Sequence, residues 1–337
     1  MEYLTQKELK EMMLLSYKRV DEKKEEINKI NVFPVPDQDT GNNVAKTLLG
    51  VKEAIENKEF KSLSELSDTA LDGALTSAQG NAGVIYTGFL AGFLPELNEN
   101  PADVKKLSKA FERGAERARQ SIQNPKEGTI LDVIDAVTES IKEEAEKEKN
   151  IISVLRNAVE RAKEALLATR EKMEIFRKAN VVDAGGMAYL IIFESYLEVL
   201  DPSFSRKEEA GKKPSEKIKR FIQVLSNRFE VVCLIENPKF EESIIRGKLK
   251  TYGNCLDIVR IKDKMKIHIH TDYPEDVKTT MRSLGRIQSL RVEDMANEVV
   301  GEESVRKVSI GIVTDEVAMI LPKIPYSCPY QRNVCLR

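Results

Sequence analysis

NVFPVPDQDTGNN, residues 31–43, sets Asp37 and Asp39 one residue apart, behind Pro34 and Pro36 and ahead of Gly41. Its flanks decide the fold. Upstream, Thr5 and Glu8 have capping-box spacing, and Leu9, Met12, Met13, Tyr17 and Val20 recur on one helical face. Downstream, the chain resumes helical periodicity. The stretch is therefore a joint between helices, and two readings of it stay open on the residues alone. It is a proline-stiffened surface turn, or a loop aiming two carboxylates at a hard cation such as Mg²⁺, with Gly41 permitting the turn.

The same alternation of helix and joint runs through the first 200 residues. LDVIDAVTESI and ISVLRNAVERAKEALLA carry one apolar face each, and Val84 to Leu94 is apolar nearly all round, as in a central buried helix. Three more joints carry glycine: TSAQGNAG, PKEGT and ANVVDAGG. Gly80 and Gly83 let backbone N–H groups approach an anion at a helix start; Thr129 offers a hydroxyl at another; Asp183, Gly185 and Gly186 open a fourth. Each joint taken singly also reads as close helix packing or a plain N-cap. No GxxxxGK[ST] or GxGxxG motif is present, so phosphates here would be held by metal and helix N-termini.

Composition changes after residue 200. DPSFSRKEEAGKKPSEK reads as a linker over 201–218. The β-branched runs FEVVCLIE, CLDIVRIKD and KMKIHIHTD, with YPEDVKTTMRSLGRI as a helix, predict a small α/β domain over 219–305. KMKIHIHTD alternates apolar and polar, the pattern of a half-buried strand. The chain's two histidines, His268 and His270, share one face of that strand, and Cys233 lies on another; together they form a candidate Zn²⁺ set, or else a polar strand face over a buried cysteine. Cys255 and Asp272 are weaker ligand candidates. Residues 306–337 begin like the first strand and turn of another α/β domain, then end.

Bulk properties exclude several classes. The 337 residues are 41% apolar and 32% charged, with a net charge of −2, so no electrostatic footprint for nucleic acid exists. There is no tryptophan to stack on bases, and the longest apolar run is too short for a membrane span. Four scattered cysteines and no signal peptide point to a cytoplasmic protein.

In combination and order, NVFPVPDQDTGNN, GNAGVI, EGTILDVI and VVDAGG resemble the ATP-binding domain of fatty acid kinase A, a Dak-type kinase related to the L subunit of bacterial dihydroxyacetone kinase. The resemblance implies an all-α barrel of antiparallel helices over 1–200, an α/β middle domain, and a fragment of a DegV-like domain. It implies ATP and two Mg²⁺ ions. Asp37 and Asp39 would hold the metals, with Asn31 in support; Thr40, Asn43, Gly80, Asn81 and Gly83 would lie at the phosphates; Thr129 and Asp183 would line the nucleotide site. It implies Zn²⁺ at Cys233, His268 and His270. The activity implied is phosphorylation of a fatty-acid carboxylate carried by a separate DegV-like lipid-binding partner, by an enzyme that is commonly a homodimer. Departures stand at Gln38, where the family has glycine, and at Gln79 and Ala82, where it has arginine and serine. They leave open a catalytically weak nucleotide-binding regulator and a glycerone-kinase-like enzyme. A metal-dependent hydrolase centred on Cys233, His268 and His270 is the third reading. The absence of histidine from the first 200 residues favours an acid acceptor, which needs no general base.

Overall fold

The computed structural model describes residues 1–97, 101–204 and 227–295. These belong to one compact unit, Met1–Val299. The expected DegV-like fragment at 306–337, and most of the expected linker, lie outside the described residues.

Among the described residues, nine helices run from the N-terminus: α1 Gln6–Lys29, α2 Thr40–Ile55, α3 Leu63–Ser77, α4 Gly80–Glu96, α5 Val104–Ser121, α6 Ile130–Ala145, α7 Ile151–Lys172, α8 Glu174–Ala179 and α9 Ala184–Leu200. The capping box of α1 forms as the spacing predicts. Consecutive helices pack on one another and α9 returns to α1, closing a ring. The two helices that are apolar nearly all round, α4 and α9, meet inside it. Phe89 packs edge-on against Tyr189 with ring centroids 5.5 Å apart, and the hydroxyls of Tyr86 and Tyr196 hydrogen-bond at 3.2 Å. Both helices are hydrophobic on every side because neither has a solvent face.

A four-stranded antiparallel sheet follows: β1 Phe229–Glu236, β2 Gly253–Ile261, β3 Lys264–Thr271 and β4 Arg286–Asp294, in the order β2-β3-β1-β4. Helices α10 Glu242–Leu249 and α11 Pro274–Leu284 cover one face. Val231, Cys233, Ile235, Ile267 and Ile269 point into that core. Over β1, β2 and β3 the other face is covered by the helical part, while β4 stays partly exposed. Leu234 and Val259 pack on Leu75, Ala78 and Val84 of the helical part. Lys266 Nζ donates to Thr76 O at 3.1 Å, and Arg246 Nη2 donates to the carbonyls of Gln120 and Ser121 at 3.2 and 3.3 Å. The alternation in β3 thus marks two buried faces, one apolar and one polar, where the sequence pattern predicts a half-exposed strand.

Candidate functional site

Helices α2, α4, α6 and α9 direct their N-termini at one cavity of about 360 Å³. Thr40, Gly80, Thr129 and Asp183, one from each helix start, line it. Four positive dipole ends surround one volume, which is a setting for an anion.

Asn31 organises the acidic loop. Its amide donates to Val35 O at 2.6 Å and to Asp37 Oδ1 at 3.3 Å, and its carbonyl accepts from the Thr40 hydroxyl and backbone. Asn43 Nδ2 donates to Asp39 Oδ2 at 2.6 Å. Burial raises the pKa of Asp39, against the lowering effect of a hydrogen bond with Asp37. Two carboxylates held together at the cavity wall are a fit for a hard divalent cation, which would relieve their repulsion.

Gly41 plays a different part from the one its motif predicts. It sits inside the first turn of α2, and a Cβ there would stand 2.2 Å from Lys24 O of α1. Its role is close approach between helices. The left-handed backbone falls instead on Gln38, with φ 59°. At Gly80 φ is 58°, and a Cβ would meet Asn43 Nδ2 at 2.4 Å. Asn28 of α1, which no sequence motif marks, completes the loop: its Oδ1 accepts from Gly41 N at 2.8 Å and Asn42 N at 3.2 Å.

Thr129 does not cap α6 with its side chain. It donates to Lys126 O at 2.8 Å, pinning the preceding loop. Asp183 does cap α9, accepting from Gly186 N at 2.7 Å, and burial pushes its pKa up to about 7. Asn81 lines the cavity, whereas Gly83 is buried one turn into α4 and is not among the lining residues. Gln79 is not among them either.

The sheet closes the cavity from the other side, contributing Glu230, Asn254, Cys255, His270 and Met295. A site free of histidine is therefore not what the fold builds. Register explains the arrangement: Glu230 of β1 pairs with His270 of β3, and Val232 pairs with His268, so Glu230 and both histidines share the polar face. One ligand atom from each of Glu230, His268 and His270 lies within 4.8 Å of the others, and all three residues are buried. His268 Nε2 lies 2.9 Å from Glu230 Oε1, and its Nδ1 lies 3.3 Å from Asp257 Oδ2. Burial pushes the His268 pKa down, but these carboxylates outweigh it and raise the value to about 10. Burial lowers His270 to about 3, so that ring is neutral.

Cys233 cannot join this cluster. It pairs with Ile267 and points into the opposite, apolar core, where burial raises its pKa to about 12. Glu230 stands where the thiolate was expected. Asp272 lies past the end of β3, exposed, and accepts from Arg228 N at 2.7 Å. Cys255 lines the cavity outside the cluster. The ligand set that fits a divalent metal is Glu230, His268 and His270, with Asp257 positioned to orient the His268 ring.

Among the described residues, no helix is long and apolar enough to cross a membrane. Residues 34–198 match the DAK2 domain family, and residues 226–301 match the family of fatty acid kinase A-like middle domains. Uncharacterized proteins of Staphylococcus aureus strains MRSA252 and COL are each 29% identical over 285 residues, covering 81% of this chain and 52% of their own length. The chain thus spans about half the length of these curated relatives. The crystal structure of dihydroxyacetone kinase from C. freundii in complex with AMP-PNP and Mg²⁺ aligns at 14% identity and a TM-score of 0.44, over 56% of this chain and 33% of that one. With both models matched in order, the chain joins a DAK2 domain to a fatty acid kinase A-like middle domain.

Proposed function

We propose that the chain is an ATP- and Mg²⁺-dependent phosphotransferase whose acceptor is the carboxylate of a fatty acid, presented by a separate lipid-binding protein of the DegV-like type. The observation that carries this reading is the convergence of four helix N-termini on one cavity that also holds Asp37 and Asp39. Asp37 and Asp39 would hold two Mg²⁺ ions, which supply charge neutralisation at the phosphates when bound. The chain's own groups do the rest. N–H groups at the start of α4 receive phosphate oxygens, and the dipole end of α2 adds its field. Asn31 and Asn43 hold the two acids in place. The sheet shuts water out of the far side. A fatty-acid carboxylate is ionised at pH 7 and needs no base. Its oxygen attacks the γ-phosphorus, the bond to the β–γ bridging oxygen breaks, and acyl phosphate and ADP result.

The buried Glu230, His268 and His270 cluster supports a second metal, Zn²⁺, at the sheet side of the same cavity. Metal content separates the two candidate ligand sets: Glu230→Ala is expected to lose bound zinc and Cys233→Ser to retain it.

The kinase reading is tested by calorimetric titration of ATP into the wild type and Asp37→Ala/Asp39→Ala, with and without Mg²⁺. Binding that requires both the metal and the acids is expected. ADP release should then rise with added fatty-acid-loaded partner. Absence of Mg²⁺-dependent binding would remove the reading, and turnover with dihydroxyacetone in place of the loaded partner would move it to a glycerone kinase.

A further inference from the structure

The cavity is rich in acid. Asp37, Asp39, Asp183 and Glu230 all line it. Among the described lining residues, Lys126 is the one lysine or arginine. It lies between α5 and α6, in the joint whose backbone Thr129 pins. Its ammonium does not settle on any carboxylate: among the described residues, none pairs with it. It rests across the cavity mouth over the ring of Phe33, 5.9 Å from the centroid. Phe33 belongs to the acidic loop and is itself held edge-on by Phe176 at 6.0 Å.

A solvated cation over a phenyl face is held weakly, and a lysine is a mobile point charge suited to phosphate. We propose that Lys126 is the phosphate-binding cation of this site, leaving the Phe33 face to meet the terminal phosphates of the bound nucleotide. This rests on the nucleotide reading given above.

The test is calorimetric titration of ATP, ADP and AMP, all with Mg²⁺, into the full chain and its Lys126→Gln and Lys126→Arg variants, at two salt concentrations. Because Lys126 is exposed, both variants are expected to melt with the wild type. Lys126→Gln should bind ATP about tenfold more weakly, the loss expected of one charged contact, with AMP unchanged and a shallower salt dependence. Lys126→Arg should recover most of the loss. Equal ATP binding by wild type and Lys126→Gln would overturn the proposal while leaving the nucleotide reading intact. Equal weakening for ATP, ADP and AMP would overturn it too, by placing Lys126 at the nucleoside. Failure of the wild type to bind any of the three would overturn both.

Discussion

At Gln38 the acidic loop passes through φ 59°, a conformation that costs a residue bearing a Cβ about 1 kcal/mol. Gln38→Gly removes that cost, offset in part by the freedom glycine gains when unfolded. The variant should melt slightly higher, and Gln38→Val, branched at Cβ, about 2–4 °C lower. Asp183 carries a different strain. Its folded pKa, raised to about 7 by burial, stands above the ordinary value of 3.8. The folded state therefore holds this proton more tightly than the unfolded chain does. Stability from this group is full below about pH 4, falls as pH rises toward 7, and is flat above. Asp183→Asn keeps the cap on α9 and removes the ionisation. The melting temperature of the wild type should drop between pH 4.5 and 7.5 more than that of the variant. The difference corresponds to on the order of 3 kcal/mol.

Elements are positioned here by groups they do not own. The start of α2 is capped from α1, through Asn28. Asn28→Ala leaves one buried and one half-buried N–H group without this acceptor and should lower stability by about 1–2 kcal/mol. Nucleotide affinity should fall with it, since the same helix start faces the cavity. A variant that binds ATP normally would show that α2 does not need this cap to hold its orientation. Much of this architecture is legible in the residues themselves. The helices, the four joints and their order follow from periodicity and glycine placement, because those signals are local. Glu230 is not legible. In FEVVCLIE it is one of two acids flanking an apolar run, and the cysteine within that run is the more obvious ligand. Only the pairing of β1 with β3 decides which of the two meets the histidines, and pairing register is a non-local property. For the same reason β3 reads as half exposed: its polar face is covered by helices some 190 positions away in sequence, as in the Lys266 bond to Thr76.

At the scale of the molecule, the sheet and the helical ring share one cavity, and the contact between them is part of the site. Leu234 is fully buried in that contact. Leu234→Ala should cost about 2–5 kcal/mol and weaken nucleotide binding, by loosening the wall that carries Glu230, Cys255 and His270. Phe111→Ala, in the ring's aromatic core, should destabilise comparably with a smaller effect on binding. Equal effects on affinity would mean that the sheet's seat is not what tunes the cavity. The convergence of helix starts carries a further consequence, for how far such a chain can drift. In the nucleotide reading, the attraction for phosphate comes largely from helix dipoles and main-chain amides, which every residue but proline supplies. Substitution can bring in or remove a charge at the rim, but it cannot delete that attraction; only sliding or unwinding a helix can. Selection is then free to exchange almost any side chain that leaves four helix ends in place, and a lineage at 29% identity to its relatives can inherit a binding field it no longer spells.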